Sequence, residues 1–143
     1  MSKSGITFRV EEDLDFSLEK ETKVKNWIKK VLKQEDKTTG NISYVFCTDN
    51  YLLNINRQFL QHDFYTDIIT FDYSENNKIE GEIFISIDRV KENASTFKQP
   101  FQKELLRTII HGVLHLYGYK DKNPKDKKRM REKEDEALNS YEL

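Results

Sequence analysis

The sequence contains few of the residues that cross-link or interrupt a chain. Its 143 residues include one cysteine, two prolines and five glycines. A single cysteine excludes an intramolecular disulfide, and the apolar context Tyr44-Val-Phe-Cys47 predicts a buried, reduced thiol. No internal repeat and no linker-like segment is present, which predicts a single domain over residues 1–143.

Long apolar runs and an excess of one charge are also absent. No run approaches the roughly 18 apolar residues that a membrane span requires, and the first residues lack the apolar stretch of a signal peptide. We therefore expect a cytoplasmic protein without a membrane partner. The formal net charge is −1, from 24 basic and 25 acidic residues, and this balance taken alone argues against a polyanion-binding protein.

The apolar periodicity predicts an α+β fold, with a small mixed four-stranded sheet packed with about five helices. Alternating patterns predict strands over residues 6–10, 42–47, 68–73 and 81–87. Helical patterns cover residues 19–34, 50–61 and 104–117, and two more helices follow residues 86 and 123. The helix over residues 104–117 has almost no polar face, so we expect it to be central and buried.

Two of the three histidines, His111 and His115, lie four residues apart on this apolar helix. The spacing places them on one helix face, where both imidazoles could bind a single metal ion. Asp121 follows the predicted helix end at Gly118 and could supply a third ligand, although it could also be a solvated loop acid. Two histidines and one carboxylate leave positions open for water, as in catalytic zinc sites and facial-triad sites.

The histidine pair shares only its spacing with the H-E-x-x-H pattern of metallopeptidases. Gly112 stands where those enzymes carry the glutamate that acts as general base. Glycine cannot replace that group, which disfavours a metallopeptidase. A metallopeptidase stays possible only if another residue of the chain supplies the general base.

Several blocks of the sequence, in the same order, resemble the YbeY family of bacterial rRNA-maturation endoribonucleases. The stretch His111-Gly-Val-Leu-His-Leu-Tyr-Gly-Tyr119 is similar to the family motif H-G-x-L-H-L-x-G-Y-D-H. Further similarities occur at Ile55-Asn56, at Asp63 and over residues 66–71, 81–86 and 130–138. The resemblance extends over residues 40–138.

The resemblance implies a single-strand-specific, metal-dependent endoribonuclease that acts in small-subunit rRNA maturation and ribosome quality control. A metal-activated water would hydrolyse the phosphodiester bond. The implied partners are rRNA and the small ribosomal subunit, without DNA. The implied cofactor is one transition-metal ion, which we expect to be zinc, with nickel, iron or manganese as alternatives. His111 and His115 match the first two motif histidines, so the resemblance implies that they bind the metal and are catalytic.

The sequence departs from the family pattern at two positions. Asp121 stands at the third motif histidine; a carboxylate there adds negative charge, weakens the Lewis acid and widens the choice of metal. Leu60 stands where family members commonly carry an arginine that is implicated in activity, and leucine cannot contact phosphate. Leu60 therefore keeps open a second reading, a non-catalytic ribosome-assembly factor with a structural metal.

The motif does not identify the general base. His62, Asp63 and Asp67 are candidates because the matching family segment lies near the metal site, and we take Asp67 forward as a catalytic residue. His62 could instead be an ordinary surface-loop residue.

Basic residues are concentrated directly after the histidine pair. Seven lie between Lys120 and Arg131, opposed only by Asp121 and Asp126. This concentration predicts a path for the RNA backbone beside the metal, although a solvated helix face with ordinary ion pairs would have the same pattern. The predicted RNA contacts are Lys120, Lys122, Lys125, Lys128 and Arg129.

Overall fold

The computed structural model describes residues 5–62 and 66–141. Within them lie four strands and five helices, in an α+β fold with a mixed sheet, as the sequence predicts. In chain order the elements are β1 (Gly5–Val10), α1 (Glu21–Gln34), β2 (Thr38–Cys47), α2 (Asp49–Phe59), β3 (Ile68–Asp72), β4 (Lys78–Ser86), α3 (Ile87–Thr96), α4 (Phe101–Tyr117) and α5 (Pro124–Asn139). None of the described helices is both long enough and apolar enough to cross a membrane.

The sheet has the strand order β1-β2-β4-β3. β2 runs parallel to both β1 and β4, whereas β3 is antiparallel to β4. Successive side chains of a strand point to opposite faces, so the apolar runs in β2 and β4 supply both faces of the sheet. Tyr44 and Ile83 join the larger core with α1 and α4, and Val45 and Phe84 join a smaller core with α2.

Helix α4 lies against the sheet at very short range, with Gly112 at the point of closest approach. A Cβ atom at this position would lie 2.9 Å from Cγ2 of Ile83 and 3.1 Å from Cδ1 of Ile68. The buried Tyr44 hydroxyl donates a hydrogen bond to the Ile109 carbonyl at 2.7 Å. Both contacts fix the height and rotation of α4, and with them the direction of its histidines.

Helix α5 is held at both of its ends. At its start the Asn123 side chain accepts a hydrogen bond from the backbone N–H of Asp126 at 2.8 Å, and Pro124 occupies the first turn. Near its end the Ala137 carbonyl accepts a hydrogen bond of 2.7 Å from the buried indole N–H of Trp27 on α1. The first contact caps the start of α5 and the second anchors its end to α1, and α4 packs against both α3 and α5.

Candidate metal centre

The candidate metal centre forms where the end of α4 meets the loop that follows it. His111 and His115 occupy successive turns of one helix face, and their ring centroids are 4.6 Å apart. Gly118 ends the helix with φ of 127°, a backbone conformation that favours glycine. The chain turns back there, and Asp121 lies beside both rings. One atom from each of the three side chains lies within 4.8 Å of the other two.

The distances suit a single small ion. Nε2 of His111 lies 3.4 Å from Oδ2 of Asp121, and Nε2 of His115 lies 3.3 Å from the same oxygen. Ligand atoms in a tetrahedral zinc site with bonds of about 2.0–2.1 Å are roughly 3.3 Å apart. The three side chains are 19%, 27% and 39% exposed, so water or substrate can reach the same point. The group could therefore hold one metal ion and leave a position open for a reactant.

A buried carboxylate, paired with a partly buried guanidinium, stands behind the ring of His111. Nδ1 of His111 lies 2.6 Å from Oε2 of Glu134, which is buried. Arg107 donates hydrogen bonds to Oε1 of Glu134 at 2.9 Å and to Oδ1 of Asp135 at 2.8 Å. A proton on Nδ1 that is donated to Glu134 leaves the lone pair of Nε2 available on the side of Asp121. This is the arrangement that commonly orients a metal-binding histidine.

The two histidines have pKa values shifted in opposite directions. Burial lowers the pKa of His111, but the hydrogen bond and charge of Glu134, together with Asp121 and Asp67, outweigh it and raise the pKa above its ordinary value. Burial and the neighbouring charge of His111 lower the pKa of His115. His115 is thus neutral near neutral pH, whereas a metal ion competes with a proton for His111.

A cleft of about 520 Å³ opens beside His111 and Asp121. Side chains from the end of α3, from α4 and from α5 line it, and so does Asp67, which directly precedes β3. Burial raises the pKa of the Asp67 carboxyl, and the charges of Glu134 and Asp121 add to this effect, whereas His111 opposes it. The amide of Asn93 donates a hydrogen bond of 3.4 Å to Oδ2 of Asp67. Asp67 thus faces the same space as His111.

The other residues that the sequence predicted to be functional do not line the cleft in the part of the chain that the structure describes. His62 and Leu60 are exposed near the end of α2 and do not line the cleft, and Asp63 lies outside the described residues. The basic residues predicted to contact RNA also lie outside the cleft lining, and Arg129 lies over the ring of Tyr119 at 5.9 Å. These five are Lys120, Lys122, Lys125, Lys128 and Arg129. Their role stays a prediction.

Eight residues of the cleft lining were not among the site residues that the sequence predicted: Asn93, Phe97, Glu104, Arg107, Thr108, Lys127, Arg131 and Glu134. Glu134 belongs to the segment over residues 130–138 that resembles the family, yet its spacing gives no sign of a contact with a histidine 23 residues away. Lys127 and Arg131 belong to the basic segment. Their spacing of four residues places them on one edge of α5, a signal that the charge count alone does not separate from the other basic residues.

Comparison with known proteins identifies the family of the chain. The family described as Endoribonuclease YbeY matches residues 9–142. A Flavobacterium psychrophilum protein named Endoribonuclease YbeY is 53% identical over 131 residues, covering 92% of this chain and 94% of the relative. A Parabacteroides distasonis protein of the same name is 54% identical over 127 residues and 89% of both chains. The solution structure of TM1509 from Thermotoga maritima matches with a TM-score of 0.66 and 29% identity over 93% of this chain and 86% of that one. The chain therefore belongs to the YbeY family.

Proposed function

We propose that this protein is a metal-dependent endoribonuclease that hydrolyses single-stranded RNA in the maturation and quality control of the small ribosomal subunit. The observation that carries the proposal is the convergence of His111, His115 and Asp121 beside a cleft that His111 and Asp121 line, in a chain whose relatives are named endoribonucleases. The partners would be rRNA and the small subunit, in the cytoplasm, and the whole chain would act as one domain.

The cofactor we propose is one transition-metal ion held by Nε2 of His111, Nε2 of His115 and Oδ2 of Asp121. Zinc fits the separations between these atoms, and nickel, iron or manganese are the alternatives. When bound, the ion would supply a Lewis acid for the phosphodiester and lower the pKa of a water molecule. The carboxylate reduces the charge of the centre relative to three histidines.

The chain's own residues would orient the reactants and move the proton. Glu134 accepts the Nδ1–H hydrogen bond of His111 and keeps Nε2 directed to the open side of the site. Asp67 lines the cleft and has a raised pKa, so it is our candidate to accept the proton of the attacking water and return it to the leaving oxygen. His111 and His115 are catalytic in this scheme through the ion they hold.

The test combines metal analysis with cleavage of labelled RNA. The wild-type protein should contain about one transition-metal ion per chain. It should cut a single-stranded RNA internally and leave its duplex form intact. His111→Ala and His115→Ala should lose both metal and cleavage, whereas His62→Ala should keep the metal because His62 lies away from the cleft. Undiminished cleavage by the His111 and His115 variants would refute the proposal.

A non-catalytic assembly factor with a structural metal is the second candidate, and Leu60 favours it. This chain carries Leu60 at the position where relatives commonly carry an arginine. Leu60 is 39% exposed and does not line the cleft. This candidate predicts that the metal-loaded protein binds RNA or small subunits and cuts neither. The outcome of the cleavage assay separates the two candidates.

A metallopeptidase remains disfavoured. Gly112 packs directly on Ile83, so the position leaves no space for the glutamate that acts as base in those enzymes. Cleavage of a protein substrate that stops on addition of a chelator would revive this candidate.

A further inference from the structure

The cleft has two walls that differ in chemistry. Helix α4 forms its floor and packs against both α3 and α5. The α3 wall ends in an aromatic ring, Phe97, and the α5 wall carries two cations, Lys127 and Arg131. The metal-binding group lies at the same floor, through His111.

Phe97 is a large apolar side chain that is exposed to solvent at the end of α3. It is the C-terminal cap of α3, its backbone N–H donates to the Asn93 carbonyl, and its side chain is 54% exposed. Among residues 5–62 and 66–141, Phe59, Leu60 and Tyr73 are the other exposed large apolar side chains, and none of them lines the cleft. Within that same part of the chain the ring of Phe97 contacts no other aromatic ring, and this half-exposed side chain lines the cleft.

Lys127 and Arg131 differ from the third cation of the cleft. Arg107 is committed to Glu134 and Asp135 through two short ion pairs. Lys127 and Arg131 are exposed and form no ion pair with any residue in the described part of the chain. Each can therefore meet an anion without giving up an existing partner.

The acids of the cleft determine where a phosphate can lie. Asp67, Glu104 and Glu134 line the cleft and would repel a phosphate that lies next to them, apart from the position beside the metal group. The charge of Arg131 lowers the pKa of Glu104 against the larger raising effect of burial, and Arg131 stands on the α5 side together with Lys127. The edge formed by α5 is therefore the part of the cleft where an RNA backbone is best accommodated.

We propose that the cleft is a subsite for unpaired RNA, in which one base stacks on Phe97 while Lys127 and Arg131 hold neighbouring phosphates. The inference rests on the proposed function, which it deepens by naming the source of single-strand selectivity. A base inside a duplex has both faces covered by its neighbours and cannot stack on a side chain, whereas a base in a single strand can. The two cations also supply the phosphate contact that Leu60 cannot.

The experiment measures binding of a fluorescein-labelled RNA to the metal-free protein, so that the strand stays intact, and then KM and kcat with the metal-loaded protein. Phe97→Leu removes the π face but keeps an apolar side chain, and Phe97→Trp restores it. Tyr73→Leu is the matched control, because Tyr73 is 57% exposed and lies outside the cleft. The Lys127→Ala, Arg131→Ala double variant removes two positive charges from the cleft. Its control is the Lys29→Ala, Lys30→Ala double variant, which removes two positive charges from the exposed side of α1.

We expect Phe97→Leu to weaken binding of the single strand about tenfold, Phe97→Trp to restore it, and Tyr73→Leu to change it little. The Lys127 and Arg131 double variant should reduce the slope of log affinity against log salt by about 1.4, and the α1 double variant should not. KM should rise in the same order as the dissociation constant, while kcat changes less.

Two results would overturn the subsite. Phe97→Leu and Tyr73→Leu could have equal effects, or the two double-charge variants could have equal effects. If the wild type cleaves RNA while either of these holds, the subsite is wrong and the proposed function stands. If the variants behave as expected but no protein cleaves, the subsite stands and the ribonuclease proposal fails. A wild type that binds no RNA refutes both.

Discussion

At the scale of single residues, the identity of the third metal ligand is the first property to test. Asp121 brings Oδ2 within 3.4 Å of both imidazole nitrogens, a separation that an ion can bridge. Asp121→Ala should lower zinc affinity by more than the roughly 10- to 100-fold that loss of an outer hydrogen-bond partner costs. Asp121→His should keep the ion. Isothermal titration calorimetry measures both, and an alanine variant with wild-type affinity would show that the carboxylate is not a ligand.

Glu134 provides a second test at this scale. Glu134→Gln keeps the shape of the side chain but removes the charge that raises the pKa of His111, so that pKa should fall. Zinc affinity near neutral pH should fall about 10- to 100-fold. The His111 of the wild type binds a proton at higher pH than that of Glu134→Gln, because Glu134 raises its pKa. As the pH is lowered, the wild type should therefore lose zinc affinity before the variant does, and the difference in zinc affinity between the two proteins should narrow.

The measurements are an NMR titration of the His111 ring in the metal-free protein and calorimetry at several pH values. The matched control is Glu132→Gln, an exposed glutamate on the same helix. Equal titration of His111 in Glu134→Gln and in the wild type would contradict the role assigned to the buried carboxylate.

Spacing in the sequence predicted that His111 and His115 share one face, because helix periodicity is a local property. Spacing left Asp121 open between a third ligand and a solvated loop acid, and the family resemblance favoured the ligand. The same reasoning could not find Glu134 or Arg107. Their contacts join α4 to α5, and the angle between two helices depends on packing of the whole core. The packing of α5 against α4 also decides which basic residues between 120 and 131 line the cleft, so the sequence pattern alone could not separate Lys127 and Arg131 from the others.

At the scale of elements, α4 makes a close contact with the sheet at Gly112. Gly112→Leu introduces a side chain where even a Cβ atom would lie 2.9 Å from Ile83. We expect a loss of about 3 kcal/mol in the free energy of unfolding, despite the roughly 0.8 kcal/mol by which leucine favours a helix over glycine. Urea denaturation measures it.

Lys103→Leu is the control, since it places the same side chain at an exposed position of the same helix. Its free energy of unfolding should change by less than about 0.5 kcal/mol. A Gly112→Leu protein as stable as the wild type would mean that α4 can move away from the sheet without loss.

Element type was predictable along the chain, and element ends were less so. The prediction for the second strand began at residue 42, yet β2 begins at Thr38, because Thr38 and Thr39 pair with Lys78 and Ile79 of β4. Polar residues such as these carry no strand pattern and become extended only through their partners. The parallel pairing and the strand order β1-β2-β4-β3 also depend on long-range contacts that a local pattern does not contain.

At the scale of the whole molecule, Cys47 reports on global unfolding. Its side chain is fully buried, and burial, followed by the charges of Glu11, Asp49 and Asp88, raises its pKa to about 12. The thiol should therefore resist Ellman's reagent in the native protein and react when the chain unfolds in urea. Raising the pH toward the ordinary thiol pKa should speed the reaction of the unfolded chain only. Rapid reaction of the native protein without denaturant would contradict this expectation.

The net charge of −1 illustrates why an average over the molecule says little about a ligand. The uncompensated cations of the cleft, Lys127 and Arg131, lie on one edge of one helix, while the neighbouring acids are buried or paired. The near-neutral total therefore does not exclude a nucleic-acid partner, although it suggested this in the sequence alone.

The position of α5 in the chain gives the molecule an order of assembly. This helix supplies Glu134 behind His111, the cationic wall of the cleft and the carbonyl that holds Trp27. It follows every other described element, so during synthesis it leaves the ribosome after all of them. Until then the histidine pair lacks its buried partner and the cleft lacks a wall. On the proposed function, a nascent chain whose α5 has not yet emerged is therefore inert towards the RNA of the ribosome that is making it.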